Sequence, residues 1–325
     1  MAKNQIYPYA VARIRMLERT LLTEKNYIQM AEAKNIEDAL KILAETGYGE
    51  CENIDGRNFE TLLSEQLSKA YSDIKELVSD EDFMDIFLFK NDYHNLKVLI
   101  KSDLTGIDGS EYLIDGGTIP LDDLKSSFSA RTYEALPADM TEAVSEAYDV
   151  YGRTQNGQMI DIIMDRSAFR DMKRTADKCT NNFVKKYVEY VCDITNLKSF
   201  LRIKNMNKPF EAFDDVYVEG GSLSLETYRA AFAAETPAAG LRNTQYGDLC
   251  AAGMPKGFTV FEKLCDNFIM SFIRDAKYQS LTLEPVVAYA YARETEAKTI
   301  RIILSGKFNN IDVDIIKERL RDAYV

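Results

Sequence analysis

One unit of sequence occurs more than once in this chain, and any fold has to give its copies equivalent places. The clearest copy runs from Asp92 to Tyr133. It has a helical stretch carrying Asn95-Leu96-Lys97, a tip containing Gly116-Gly117, a short helix LDDLKSSF and the tail Arg131-Thr132-Tyr133. A second copy starts at Asp193, with Asn196-Leu197-Lys198, Gly220-Gly221, the short helix LETYRAAF and Glu235-Thr236-Pro237. The two Asn-Leu-Lys triplets lie 101 residues apart (196 − 95). One period on, Glu296-Ala297-Lys298 keeps only the lysine and is followed by the short helix VDIIKERL. The N-terminus gives a looser fourth copy, in which a long helix from Tyr9 precedes IEDALKIL and Glu45-Thr46.

Hydrophobic periodicity makes nearly everything around these units helical. One amphipathic helix is predicted from Tyr9 to about Ala33. Asn35 then caps a short helix, and Asn58 caps a long one that ends at Ser79-Asp80. The next helix, from Glu81 to about Lys101, is apolar enough to be buried on more than one side and reads as the hairpin partner of the 58–78 helix. Two further hairpins join residues 159–172 to 183–201 and residues 258–280 to a helix opened by Pro285. A moderate helix covers 138–152, Pro120 opens the first short helix, and short extended pieces are expected at Tyr112-Leu113-Ile114 and Val216-Tyr217-Val218. A break falls at 236–240, and a last short helix is expected to end at Tyr324. The expected fold is therefore all-α, in three similar helical-hairpin repeats at roughly 1–105, 106–205 and 206–325.

Composition narrows the function by exclusion. The net charge of −12 repels phosphate backbones and argues against a nucleic-acid partner. No stretch approaches the roughly 18 uncharged apolar residues a membrane helix needs, and Arg13, Arg15, Glu18 and Arg19 interrupt any signal-like core at the N-terminus. A soluble, cytoplasmic protein is expected. The five cysteines, Cys51, Cys179, Cys192, Cys250 and Cys265, show no C-x-x-C spacing and read as small buried hydrophobes.

Chemistry-bearing patterns are equally sparse. His94 is the one histidine, and it cannot build a metal site with Asp92 and Tyr93 alone. Ser305-Gly306-Lys307-Phe308 lacks the preceding glycine and the following Ser/Thr of a phosphate loop. Gly47 and Gly49 follow a helix, the wrong context for a dinucleotide turn. Of the acidic pairs Glu81-Asp82, Asp122-Asp123, Asp214-Asp215 and Asp312/Asp314, the Asp122-Asp123 and Asp312/Asp314 pairs sit where they complement helix dipoles. No catalytic, cofactor-binding or metal residue is expected. The Asn-Leu-Lys triplets read best as fold devices, with Asn hydrogen-bonding the tip and Lys solvating a helix end.

The opening Tyr-x-x-Ala-Arg-x-Arg (Tyr9, Ala12, Arg13, Arg15), the tandem Asp-x-x-Asn-Leu-Lys helices at 92–97 and 193–198 and the Gly-Gly tips, in this order and at this period, resemble the C subunit of the archaeal and bacterial A/V-type ATPase, whose eukaryotic counterpart is the d subunit. The resemblance spans essentially the whole chain, although Glu296-Ala297 replace Asn-Leu in the third copy. It implies a pseudo-threefold funnel and a non-catalytic rotor part on the cytoplasmic face of the membrane. That part would receive the central axle, made of the D and F subunits, and pass torque to the proteolipid ring, without inserting in the bilayer and as a monomer when isolated. An acidic socket for a basic axle end is a further expectation. The residues leave two other readings: a free-standing solenoid adaptor binding peptides along a concave face, and an enzyme with an acidic site. The match of Tyr-Ala-x-Ala-Arg between 9–13 and 289–293 favours a closed body over an open array.

Overall fold

Every regular element among the described residues is a helix. The computed structural model describes residues 7–49, 54–78, 82–133 and 136–325. Cys51, the break at Ser79-Asp80 and Glu81 lie outside them. In chain order the α-helices are α1 (Pro8–Glu18), α2 (Glu24–Glu32), α3 (Ile36–Glu45), α4 (Phe59–Leu77), α5 (Asp85–Thr105), α6 (Leu121–Ala130), α7 (Ala138–Thr154) and α8 (Gly157–Lys178). They continue as α9 (Asn182–Asn205), α10 (Glu211–Val216), α11 (Leu225–Ala233), α12 (Pro237–Gly240), α13 (Gly247–Gly253), α14 (Phe258–Arg274), α15 (Glu284–Phe308) and α16 (Val313–Glu318).

The chain forms two compact units. One joins Met1–Glu81 to Ala234–Val325, and the other is Asp82–Ala233. In the first unit α15 is the central helix, packed by α1, α2, α3, α4 and α14. Its Tyr289-Ala290-Tyr291-Ala292 run is buried on all sides, which is why it shows no one-sided apolar stripe. In the second unit α5 and α7 both pack on α8, and α8 packs on α9. Of the two helices read as a hairpin, α4 thus finds its main partner in α15 and α5 in α8. The α8–α9 and α14–α15 pairs do pack together.

The predicted 9–33 helix is two helices. Thr23 and Asn26 form a reciprocal cap at the start of α2, with the Thr23 amide donating to Asn26 Oδ1 at 2.9 Å. The break frees the Leu22 amide, which donates to the buried Glu296 carboxylate at 2.6 Å. A tertiary acceptor has therefore displaced a helical one. Asn35 caps α3 as expected, accepting from the Asp38 amide at 2.8 Å. Asn58 stands at the N-cap of α4 but accepts from the Asp55 amide instead of capping. Pro120 is the N-cap of α6 rather than its first residue.

Three other local expectations change. Ser110–Tyr112 is a single 3-10 turn, with Leu113 extended after it. Val216 ends α10, and Tyr217 is extended after it. Residues 237–240 form α12, capped by the Thr236 hydroxyl, which accepts from the Ala239 amide at 3.1 Å. The last helix stops at Glu318 because the tail is bonded outward. Arg321 reaches Asp266 at 2.9 Å, and the buried Tyr324 hydroxyl donates to Glu18 at 3.0 Å.

The second unit contains an aromatic cluster around α9. Phe200 on α9 lies with its ring centroid 5.4 Å from both Phe213 and Tyr228, and Phe213 lies 4.9 Å from Tyr228. These separations suit edge-on and tilted ring contacts. Phe200→Ala should lower unfolding stability by about 3–5 kcal/mol, read from denaturant titration followed by circular dichroism.

Candidate functional site

The repeated feature is a latch. On α5 and α9 the Asp-x-x-Asn spacing puts both side chains on one helix face, one turn apart. Asp92 Oδ2 accepts from the Thr118 amide at 2.9 Å and its hydroxyl at 2.7 Å, while Oδ1 accepts from the Ile119 amide at 3.2 Å. Asn95 pairs twice with the Ile114 backbone, donating to its carbonyl and accepting from its amide, both at 2.8 Å. The second copy repeats these bonds. Asp193 accepts from the Ser222 amide and hydroxyl at 2.8 and 2.7 Å and from the Leu223 amide at 3.1 Å. Asn196 pairs with the Val218 carbonyl and amide at 2.8 and 2.9 Å. The helix partners recur at 101 residues (193 − 92), the tip partners at 104 (222 − 118), and the bonding pattern is the same.

This geometry explains the second glycine of each tip. A Cβ on Gly117 would lie 2.0 Å from Asp92 Oδ1, and one on Gly221 would lie 2.1 Å from Asp193 Oδ1. Asp92, Asn95, Asp193 and Asn196 are all buried, and an unpaired polar group there would be costly. The expected bond from Asn to the tip is therefore formed in both copies. The first tip is also held by His94, whose Nε2 lies 2.8 Å from the Tyr112 carbonyl, and by Asn91, which donates to the Gly116 carbonyl at 3.1 Å. The triplet lysine does more than solvate a helix end. Lys97 pairs with Asp165 of α8 at 2.5 Å, and Lys298 pairs with Asp266 of α14.

The third copy inverts the chemistry. Arg293 and Glu296 stand where the other helices carry Asp and Asn. Arg293 Nη1 donates to Glu296 Oε2 at 2.6 Å, and Arg293 Nη2 donates to the Thr20 hydroxyl. Glu296 Oε1 takes the Leu22 amide, so this helix latches the loop between α1 and α2, from the other end of the chain. Burial pushes the Glu296 carboxyl above its usual range, while Arg293 and the Leu22 amide pull against that. Sequence reasoning saw the loss of Asn-Leu here but not the substitute. Its signal was an Arg-x-x-Glu pair standing in the register of Asp-x-x-Asn.

The remaining candidates are placed in structural roles. Ser305-Gly306-Lys307-Phe308 is the last turn of α15; Lys307 donates to the Ala33 carbonyl at 2.6 Å, and Gly306 makes room for Ile316. Asp122 and Asp123 lie in the first turn of α6, Asp312 caps α16, and Asp214 pairs with Arg229 at 3.2 Å. Gly47 follows α3 with a left-handed φ of 75°. Cys192, Cys250 and Cys265 are buried, Cys179 is half-buried, and none of the four forms a disulfide. Burial pushes the Cys192 and Cys250 thiols up to about 12. Among the described residues, no group of three or more His, Cys, Asp or Glu side chains is placed to hold a metal ion. No helix among them is long and apolar enough to cross a membrane.

Comparison with known proteins matches the ATP synthase (C/AC39) subunit family model to residues 10–319. The chain is 26% identical to the C subunit of the V-type sodium ATPase of Enterococcus hirae, over 96% of this chain and 97% of that one. It is 25% identical to the C subunit of the A-type ATP synthase of Methanocaldococcus jannaschii, over 97% and 86% of the two chains. With the corresponding protein of Thermococcus kodakarensis the identity is 23%, over 96% and 89%.

Asp193→Ala should cost about 3 kcal/mol of stability by stranding the Ser222 and Leu223 amides. Gly221→Ala should cost a comparable amount, because the added methyl displaces the same carboxylate. Gly152→Ala on α7, with nothing within 4 Å of its added Cβ, should be neutral or slightly stabilising in the same thermal-melt series. Alkylation of the native protein at pH 8, followed by peptide mass mapping, should modify Cys179 and spare Cys192 and Cys250. A pKa raised from 9.0 to about 12 cuts the reactive thiolate fraction roughly a thousandfold.

Proposed function

The chain belongs to the ATP synthase (C/AC39) subunit family, and we propose that it is the non-catalytic rotor connector of a rotary ATPase. In this reading it seats the foot of the axle formed by the D and F subunits and passes torque to the membrane proteolipid ring from the cytoplasmic face. It binds no nucleotide and moves no ion itself. The observation that carries the reading is the family match over residues 10–319, because it covers nearly the whole helical body and not a shared module. We further propose that three similar helical repeats form a pseudo-threefold funnel and that the isolated chain is a monomer.

The latches support such a role physically. A torque coupler must not deform between its two contacts, and each tip is fixed to its helix by bonds from two buried side chains rather than by surface contacts. The enzyme reading gains no support from His94, which is accounted for by tip bonding, from Asp122 and Asp123, which open a helix, or from Asp214, which is ion-paired. An open solenoid adaptor is disfavoured by the first unit, in which both chain ends interlock. The Tyr7 amide donates to the Leu281 carbonyl at 2.7 Å, and Arg15 Nη2 donates to the carbonyls of Ala276, Lys277 and Gln279. Contacts that transmit torque need the area of a stable interface, about 1,200–2,000 Å² each.

Co-expression with the D and F subunits of the same organism should give a 1:1:1 complex by size-exclusion chromatography with mass determination. Elution of this chain alone at every salt concentration would overturn the connector reading.

A further inference from the structure

We infer that a basic stripe on α8 is a docking surface for an acidic, extended segment of a protein partner. Arg166, Arg170, Arg174 and Lys178 recur every four residues along α8 and so lie along one side of that helix. All four are exposed. Arg174 is committed, pairing with Asp139 and, at 2.6 Å, with Asp171. Arg166, Arg170 and Lys178 make no hydrogen bond or ion pair among the described residues. In a chain of net charge −12, with carboxylates in excess of cations, three cations on one helix stripe without a contact ion pair are not explained by internal pairing, although Arg170 and Lys178 lie in the field of the buried Asp171.

Beside the stripe is a cleft of about 400 Å³ lined by Arg170, Lys173, Arg174, Asp177, Lys178 and Glu219. One wall comes from the second Gly-Gly tip. A Cβ on Gly220 would lie 3.1 Å from Lys173 Cδ, so the bare glycine lets the tip close over the lysine stem.

The shape and charge choose the occupant. From Arg166 to Lys178 the stripe runs about 18 Å at 1.5 Å per residue, the length of five or six residues of extended chain. Carboxylates on alternate residues of such a segment would meet successive cations. A long nucleic acid would be repelled by the net charge of the whole molecule. A bilayer presents a flat face to which a concave cleft offers few contacts. This docking surface is independent of the connector reading, which specifies no acidic segment and no place for one.

The test is fluorescence anisotropy with a labelled octaglutamate peptide and the full-length chain at 50 mM salt. Binding should weaken at least tenfold at 300 mM salt, as a charge contact in water must. The variant R166E/R170E/K178E should bind at least tenfold more weakly than wild type. The variant K25E/K69E/K75E, with the same charge change at exposed lysines on α2 and α4, should bind within twofold of wild type. Matching circular dichroism melts would show that the stripe variant is folded. Absence of peptide binding, or equal losses in both variants, overturns the inference. So does co-sedimentation with phosphatidylglycerol vesicles that is lost in the stripe variant while the peptide fails to bind, because that outcome assigns the stripe to a lipid surface. Co-purification with the two axle subunits is a separate measurement, so either reading can fail alone.

Discussion

A buried carboxylate that collects backbone amides is the interaction on which the helical units depend. Long helices pack well along their sides, but the chain must leave each one and return. The tips that do this have no ladder of their own to satisfy their amides. Asp92 and Asp193 each supply two acceptor oxygens to two consecutive tip amides and one hydroxyl. The asparagine one turn later completes the task in both directions, donating and accepting as a backbone group would. The latched residues of the tips are thus held in place without being helical.

The third helix shows which part of this device is constrained. Its position is kept and Glu296 is as buried as the asparagines it replaces, while Arg293 is only partly buried and the charges are exchanged. Arg293 and Glu296 neutralise one another and still leave one carboxylate oxygen for a backbone amide. The latched segment is the loop at Thr20 and Leu22 rather than a following tip. That exchange ties the N-terminal helices to α15 and gives the first unit its interleaved chain ends. It fits the sequence match between residues 9–13 and 289–293, although the two tyrosines have different surroundings: Tyr9 is exposed and Tyr289 is buried.

Much of the candidate site was legible because its requirements are local. The period, the Asp-x-x-Asn spacing and the paired glycines are each fixed by which atoms must meet within one unit, so they recur in the sequence. The asparagine-to-tip bond could be read from them. The aspartate bonds were missed. An isolated Asp on a helix carries no signal beyond charge. The lysine was misjudged for a related reason: its partners Asp165 and Asp266 lie on other helices, far along the chain. The basic stripe on α8 went unread in the sequence, because a run of cations at every fourth residue does not show whether internal carboxylates take them up.

The sequence by itself determined the all-helical class, the places of most helices and the absence of any catalytic motif, because these follow from apolar spacing and residue chemistry within a few turns. Only the tertiary structure decided where the 9–33 segment breaks, since the acceptor that takes the Leu22 amide is Glu296, far away in sequence. Only it decided that α4 packs on α15 and α5 on α8, because apolar stripes specify that a helix is buried but not against what. It alone decided that the C-terminal tail stays non-helical, with Arg321 bonded to Asp266 and Tyr324 to Glu18.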